Sequence, residues 1–262
     1  MSSPLDLDIS FENEEKILKN SYQFNKFISP EQLSNEDYHS LDGISASGLK
    51  QAWKDPKLYA KRKLLKRLPS PALDMGTALH EALLEPDKFS FVKYPLTPAN
   101  REKLEIMVNN GKVMFEYITS ETINEHSLFV KDNGFVRKVR VDAYDKDLGI
   151  IYDVKTTRYN SPEMFIKDAY TYGYHLQASF YIDTLRMAGL KADYFAFLIV
   201  PNESPCEPFA VQISDRFIED GREIYTEVVE NILKYKQTNE QVFFKLMDLP
   251  QWRLKQKGYE DE

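Results

Sequence analysis

The stretch Ile150-Ile-Tyr-Asp-Val-Lys-Thr-Thr157 is rich in β-branched and aromatic residues, the composition of a strand. Side chains alternate faces along a strand, so Asp153 and Lys155 project from one side while Ile150, Tyr152 and Val154 project from the other. Just upstream, Ser127 to Val130 and Phe135 to Asp145 flank the turn Lys131-Asp-Asn-Gly134. Asn-Gly between β-rich runs predicts a hairpin. A second turn at Asp147-Leu-Gly149 leads into Ile150, which makes three consecutive antiparallel strands. Asp142, near the end of the middle strand, can then approach the face that carries Asp153 and Lys155.

Working outward, Ser161-Pro162 opens a helical region that is expected to run through Tyr174, Gln177, Tyr181 and Leu185 to a stop at Gly189. Ala192 to Pro201 is a nearly unbroken apolar strand of the kind buried on both faces. It follows a helix and so can join the sheet in parallel. Phe209 to Ser214 reads as a further strand, and Ser214-Asp215 caps a closing helix to about Gln237. Before the hairpin, helix starts lie at Ser45-Ala-Ser-Gly-Leu-Lys50, Asp74 and Thr97-Pro98, the last running to about Tyr117, and a basic helix is expected over Leu58 to Leu68. The expected architecture is α/β, a mixed central sheet flanked by helices. Residues 41–262 form one domain behind a polar extension, residues 1–40, without sustained periodicity.

The 262 residues include 16 Tyr and 16 Phe, which argue against disorder. The net charge of −7 hides a basic run that contains Lys50, Lys54, Lys57, Lys61, Arg62, Lys63, Lys66 and Arg67 against Asp55 alone, a patch able to neutralise phosphates. The single Cys206 excludes an internal disulfide and a multi-cysteine metal site. With no Lys/Arg-led apolar leader and no apolar run of membrane-spanning length, a cytoplasmic protein without a membrane role is expected.

Two carboxylates beside an ammonium suit a hard divalent cation such as Mg²⁺, which binds through one or two carboxylates and keeps waters. Phosphodiester hydrolysis needs that arrangement, with Lys155 orienting or deprotonating water and offsetting charge on the phosphate. An isolated Asp-x-Lys on a strand is more often a salt bridge, and a lone helix histidine such as His80 more often a satisfied packing residue. His80-Glu81 does not continue into a zinc-protease helix, because Leu84 stands where a second histidine is required.

Five segments change that balance. Ile44-Ser-Ala-Ser-Gly-Leu-Lys50, Met75-Gly-Thr-Ala-Leu-His-Glu-Ala-Leu-Leu-Glu-Pro86, Arg140-Val-Asp142, Asp153-Val-Lys-Thr156 and Tyr174-His-Leu-Gln-Ala-Ser-Phe-Tyr181 occur in that order. Together they resemble the PD-(D/E)XK nuclease superfamily, specifically its RecE-type (exonuclease VIII-like) branch, related to the RecB nuclease domain and lambda exonuclease. The usual proline before the first acid is replaced by Val141, and the superfamily's four-cysteine iron-sulfur members are excluded by the single cysteine.

The resemblance implies His80, Asp142, Asp153 and the main-chain carbonyl of Val154 as metal ligands, with Lys155 as the catalytic lysine. Gln177 and Tyr181, four residues apart on one helix face, are implied to contact DNA or steady the site. Glu81 or Glu85 is a secondary candidate for the metal shell. Ser45, Ser47, Lys50, Lys54, Lys61, Arg62 and Arg140 are candidate DNA contacts, the serines at a helix N-terminus, although Ser47 also reads as a plain cap. The resemblance further implies one or two Mg²⁺ ions, with Mn²⁺ as the substitute, and 5′ to 3′ hydrolysis from double-stranded DNA ends. The subunits would form a homo-oligomeric ring, trimer or tetramer, and a single-strand annealing protein would receive the 3′ overhang. Two alternatives stand beside it: a structure- or site-specific endonuclease on the same fold, and an inactive DNA-binding or assembly module. The like charges kept together at Asp142 and Asp153 speak against the latter.

Overall fold

The computed structural model describes residues 16–56, 59, 71–119 and 121–238. Apart from Tyr59, the expected basic helix, with Lys61 and Arg62, lies outside them. Five strands form one sheet in the order β1 (Ile123–Asp132), β2 (Phe135–Asp145), β3 (Ile150–Thr157), β4 (Tyr194–Pro201) and β5 (Phe209–Gln212). β1, β2 and β3 are antiparallel neighbours, β3 and β4 pair in parallel, and β5 returns antiparallel to β4. The sheet is therefore mixed, and helices cover both faces.

On one face, Phe195, Phe197 and Ile199 of β4 and Ile151 of β3 pack with Leu49, Leu176, Phe180 and Val228. These come from α2 (Ala46–Lys54), α6 (Tyr174–Met187) and α7 (Asp215–Thr238). On the other face, Tyr152, Val154, Leu198 and Val200 pack with Leu79, Leu83, Leu104 and Met107 of α3 (Pro71–Leu84) and α4 (Pro98–Gly111). Alternation thus sends Tyr152 and Val154 to one face of β3 and leaves Asp153 and Lys155 for the other. Each large apolar side chain so buried contributes about 1.5–3 kcal/mol.

Two of the expected caps hold, whereas α3 begins at Pro71 and not at Asp74. Thr97 Oγ accepts from the Asn100 N–H at 3.3 Å in front of Pro98, and Ser214 Oγ accepts from the Phe217 N–H at 3.4 Å. Ser45, not Ser47, caps α2, accepting from the Gly48 N–H at 3.3 Å. No helix among the described residues is long and apolar enough to cross a membrane.

One further expectation is corrected. The helix expected from Ser161 to Gly189 is two helices, α5 (Pro162–Thr171) and α6, parted at Gly173. Gly173 has φ 70°, and a Cβ there would lie 3.0 Å from Lys50 Cγ. The break lets the chain turn tightly over the Lys50 side chain.

Within the polar stretch before the domain, the described residues 16–41 pack on the sheet. Ile17, Ile28, Leu33, Tyr38 and Leu41 pack on Phe129 and Val136, and Asn35–Ser40 forms the short helix α1. Its apolar residues plug the sheet one at a time, so no periodicity shows in the sequence. The ends of α1 and the backbone around it also offer carbonyls that buried cations need: Lys138 Nζ donates to Tyr38 O and Leu41 O at 2.9 and 2.5 Å, and Arg140 donates to Leu33 O at 3.2 Å.

Candidate metal centre

The sheet is disturbed at one level, across three strands. The pairs Asn124↔Ala143 and His126↔Val141 bracket Glu125 and Asp142, which face each other without a ladder pair of their own. Glu125 has φ 54°, a left-handed conformation that costs a non-glycine residue about 1–3 kcal/mol. On β2, Val139, Val141 and Tyr144 all belong to the same core cluster while Ala143 belongs to the opposite one, so alternation breaks at Asp142. The β2–β3 ladder ends at Ala143↔Tyr152, one step before Asp142 would meet Asp153. Instead of a backbone carbonyl, Asp142 Oδ2 accepts the Val154 N–H at 2.7 Å. The strands fork here, and three acidic residues from β1, β2 and β3 line the fork.

His80 reaches into the fork from α3. Its Nε2 lies 2.7 Å from Asp142 Oδ2 and its Nδ1 lies 3.1 Å from Glu125 Oε1. One ligand atom from each of His80, Glu125 and Asp142 falls within 4.8 Å of the others. Behind Glu125, Arg140 Nε donates to Oε2 at 2.8 Å, and Tyr181 Oη donates to Arg140 O at 2.9 Å. Asp153 is 2% exposed, ion-paired with Lys155, and accepts from Gln177 Nε2 at 2.5 Å. Gln177 Oε1 in turn accepts from Lys50 Nζ at 2.8 Å. The Lys50 and Lys155 ammonium groups stand 5.2 and 5.4 Å from the centroid of one ring, Tyr174.

The charged groups in the fork hold one another. Burial opposes a charged His80, yet Asp142 and Glu125 outweigh it and hold the imidazole well above its usual range. Burial likewise opposes ionised Asp142, but His80, Lys155 and the Val154 N–H leave it below the usual carboxylate range. Burial pushes Asp153 up against the pull of Lys155. Burial also opposes the Lys155 ammonium, but the two aspartates more than offset it and keep Lys155 charged. Lys50 is pushed down to about 8, by burial first and then by Lys155.

The expected residues fall into two groups. His80, Asp142, Asp153, Lys155, Gln177, Tyr181 and the Val154 backbone meet at the fork. Gln177 and Tyr181 lie inside it, holding Asp153 and the β2 backbone. Glu81 and Glu85 lie apart from the three-residue cluster: Glu81 is engaged by Lys93 and by the Tyr94 hydroxyl, at 2.7 and 2.8 Å, and Glu85 by Lys88. Arg140 is 8% exposed and braces Glu125, so its expected place on the DNA surface is corrected to the interior. Lys54 remains outside, 6.0 Å from the Tyr172 ring centroid. Glu125 is the functional candidate that the sequence reading missed.

A cavity of about 280 Å³ opens on the α2 side, lined by Ser45, Ser47, Lys50, Asp153 and Gln177. One of about 650 Å³ opens on the α3 side, lined by Gly76, Thr77, Glu81 and Tyr94. His80, Glu125 and Lys155 border both, so the fork lies where the two spaces meet. The donor set fits a hard divalent cation with one imidazole nitrogen and otherwise oxygen ligands. Glu125 Oε1 and Asp153 Oδ2 are buried and accept no hydrogen bond among the described residues, being held by the ion pairs with His80 and Lys155.

A histidine of α3 enters the fork, and a mixed sheet that forks at an Asp and an Asp-x-Lys on adjacent strands is that of the PD-(D/E)XK class. Within it, the model of the PDDEXK-like domain of unknown function (DUF3799) matches residues 107–242, and the chain belongs to that family. No curated protein matches. The fold is similar to a crystal structure named "Putative exonuclease" from Eubacterium rectale, at 19% identity and TM-score 0.64 over 80% of this chain and 88% of that one. A phage related exonuclease from Haemophilus somnus 129PT aligns more loosely, at 14% identity and TM-score 0.39 over 74% of this chain and 94% of that one.

Proposed function

We propose that the chain is a metal-dependent deoxyribonuclease that hydrolyses DNA from duplex ends, with Mg²⁺ as its ion and Mn²⁺ as a substitute. The observation that carries this reading is the fork itself. Glu125, Asp142 and Asp153 are brought together at a cost in backbone strain and charge repulsion, with Lys155 beside them and an imidazole between two of them. The name of the Eubacterium rectale neighbour agrees with it.

His80, Glu125, Asp142 and Asp153 would hold the ion, with the Val154 carbonyl as a further ligand. A bound Mg²⁺ supplies polarisation of the scissile phosphoryl oxygen and a lowered pKa for water. Arg140 fixes the Glu125 carboxylate, and Gln177 fixes Asp153, so neither has to reorganise when substrate arrives. Lys155, kept charged, donates to the phosphate or orients the water rather than removing its proton. Lys50, with Ser45 and Ser47 at the start of α2, receives a neighbouring phosphate on the side away from α3.

The finer reading is 5′ to 3′ degradation by a homo-oligomeric ring, trimer or tetramer, that leaves a 3′ strand for an annealing partner. It rests on the resemblance to RecE-type enzymes. Digestion of linear duplex, nicked circle and covalently closed circle with Mg²⁺, Ca²⁺ or EDTA tests the whole. Linear duplex should be degraded with Mg²⁺ alone. Cutting of the closed circle makes the protein an endonuclease, and cutting in EDTA removes the metal from the mechanism.

A further inference from the structure

Beyond the fork, β3 ends with Thr156 and Thr157 and the chain goes on to Arg158, and beside these residues lies a separate cavity of about 210 Å³. Tyr174 is the partition: its ring carries the Lys50 and Lys155 ammonium groups, and the same residue lines this third cavity. Tyr172 extends the aromatic wall, its centroid 5.9 Å from that of Tyr174, and Phe165 backs it, also 5.9 Å from Tyr174. Tyr172 is 48% exposed, so much of its ring is open to a partner.

The polar groups in this cavity differ from those at the fork. Asp168 contributes a carboxylate, and Asn202 carries a side-chain oxygen that is buried with no hydrogen-bond partner among the described residues. Both ask for N–H donors. A carboxylate on the wall repels a phosphate, while aromatic walls favour a flat ring. Cations border the cavity: Lys54 stands 6.0 Å from the Tyr172 ring centroid, and Arg158 lines it while resting on Tyr159, which does not. Aromatic rings interleaved with Lys and Arg are the physical signature of a surface for unpaired nucleotides, where bases stack and the backbone follows the charge.

Resting on the DNA-cutting reading above, we propose that this cavity takes one unstacked base of the DNA strand that enters the fork. The base lies against Tyr172, with its N–H edge toward Asp168 and Asn202. The adjoining phosphates then run past Lys54, Lys50 and Lys155. This subsite makes the protein a reader of locally unpaired strand, because a base held in the duplex stack cannot enter.

The test uses the full chain and single-stranded oligonucleotides in EDTA, with one abasic site moved along the strand. Affinity should drop about tenfold when the abasic site occupies one position, or two adjacent ones, and change little elsewhere. Tyr172→Ala should erase that positional effect, and Tyr172→Trp should keep it. Equal affinity at every abasic position overturns the proposal, as does a positional effect that survives Tyr172→Ala. If linear duplex is cut with Mg²⁺ while binding in EDTA shows no positional dependence, the subsite fails and the nuclease reading stands. If no DNA binds or is cut, both fail.

Discussion

Arg140 Nε and Glu125 Oε2 are joined at 2.8 Å, both side chains buried, so a residue expected on the DNA surface instead braces a candidate metal ligand. Arg140→Gln removes the brace and leaves the carboxylate. The Mg²⁺ concentration for half-maximal cleavage should rise about 10- to 100-fold, and excess Mg²⁺ should restore part of the activity. The salt dependence of DNA binding should stay unchanged. A loss of about one from the salt slope would instead put Arg140 on a phosphate.

Lys155 is held charged by Asp153 and Asp142, which assigns it to electrostatic stabilisation. Lys155→Ala should lower the cleavage rate constant by roughly 10²–10³ while keeping DNA affinity in EDTA. Full activity in this variant would mean that the fork works without its lysine.

Lys50 titrates near pH 8, because burial and Lys155 both disfavour its charge. Only the ammonium form attracts phosphate, so its contribution is complete well below pH 8 and lost as pH rises through it. DNA affinity measured between pH 7 and 9 should therefore fall on the alkaline side. Lys50→Arg, whose guanidinium stays charged, should flatten that limb. An identical fall in the variant would trace the effect to another group.

Gly221, near the N-terminal end of α7, lies against α6 so closely that a Cβ would come 2.1 Å from the His175 carbonyl oxygen. In an open helix Gly→Ala is worth up to about 1 kcal/mol of stability. Here the helices would have to part, and Gly221→Ala should destabilise by about 1–3 kcal/mol, read as a lower midpoint in urea. A midpoint at or above that of the parent protein would contradict the close approach.

Composition and alternation were enough to give β3 its boundaries, Ile150 to Thr157, and to put Asp153 and Lys155 on one face. Glu125 was missed although the signal was present. The two-residue turn Asn133-Gly134 pairs Asp132 with Phe135, and counting back along that register puts Glu125 opposite Asp142. What hid it was local composition, since Asn124-Glu-His126 carries no strand pattern and Glu125 is the strained position. The break at Gly173 is legible only once Lys50, 123 residues away in sequence, is known to lie beneath it. Residues 16–41 show no periodicity because their apolar residues serve the sheet singly.

That segment has a bearing on how copies of the molecule can meet. Asn25 N–H donates to Phe129 O, and Ile28 exchanges a pair of backbone hydrogen bonds with Ser127, each at 2.9 Å, along the outer side of β1. The groups on β1 that would otherwise recruit a foreign strand at those positions are therefore occupied from within the chain. A second molecule approaching this flank finds no backbone ladder to extend there, and any assembly on this side has to be built from side-chain fit.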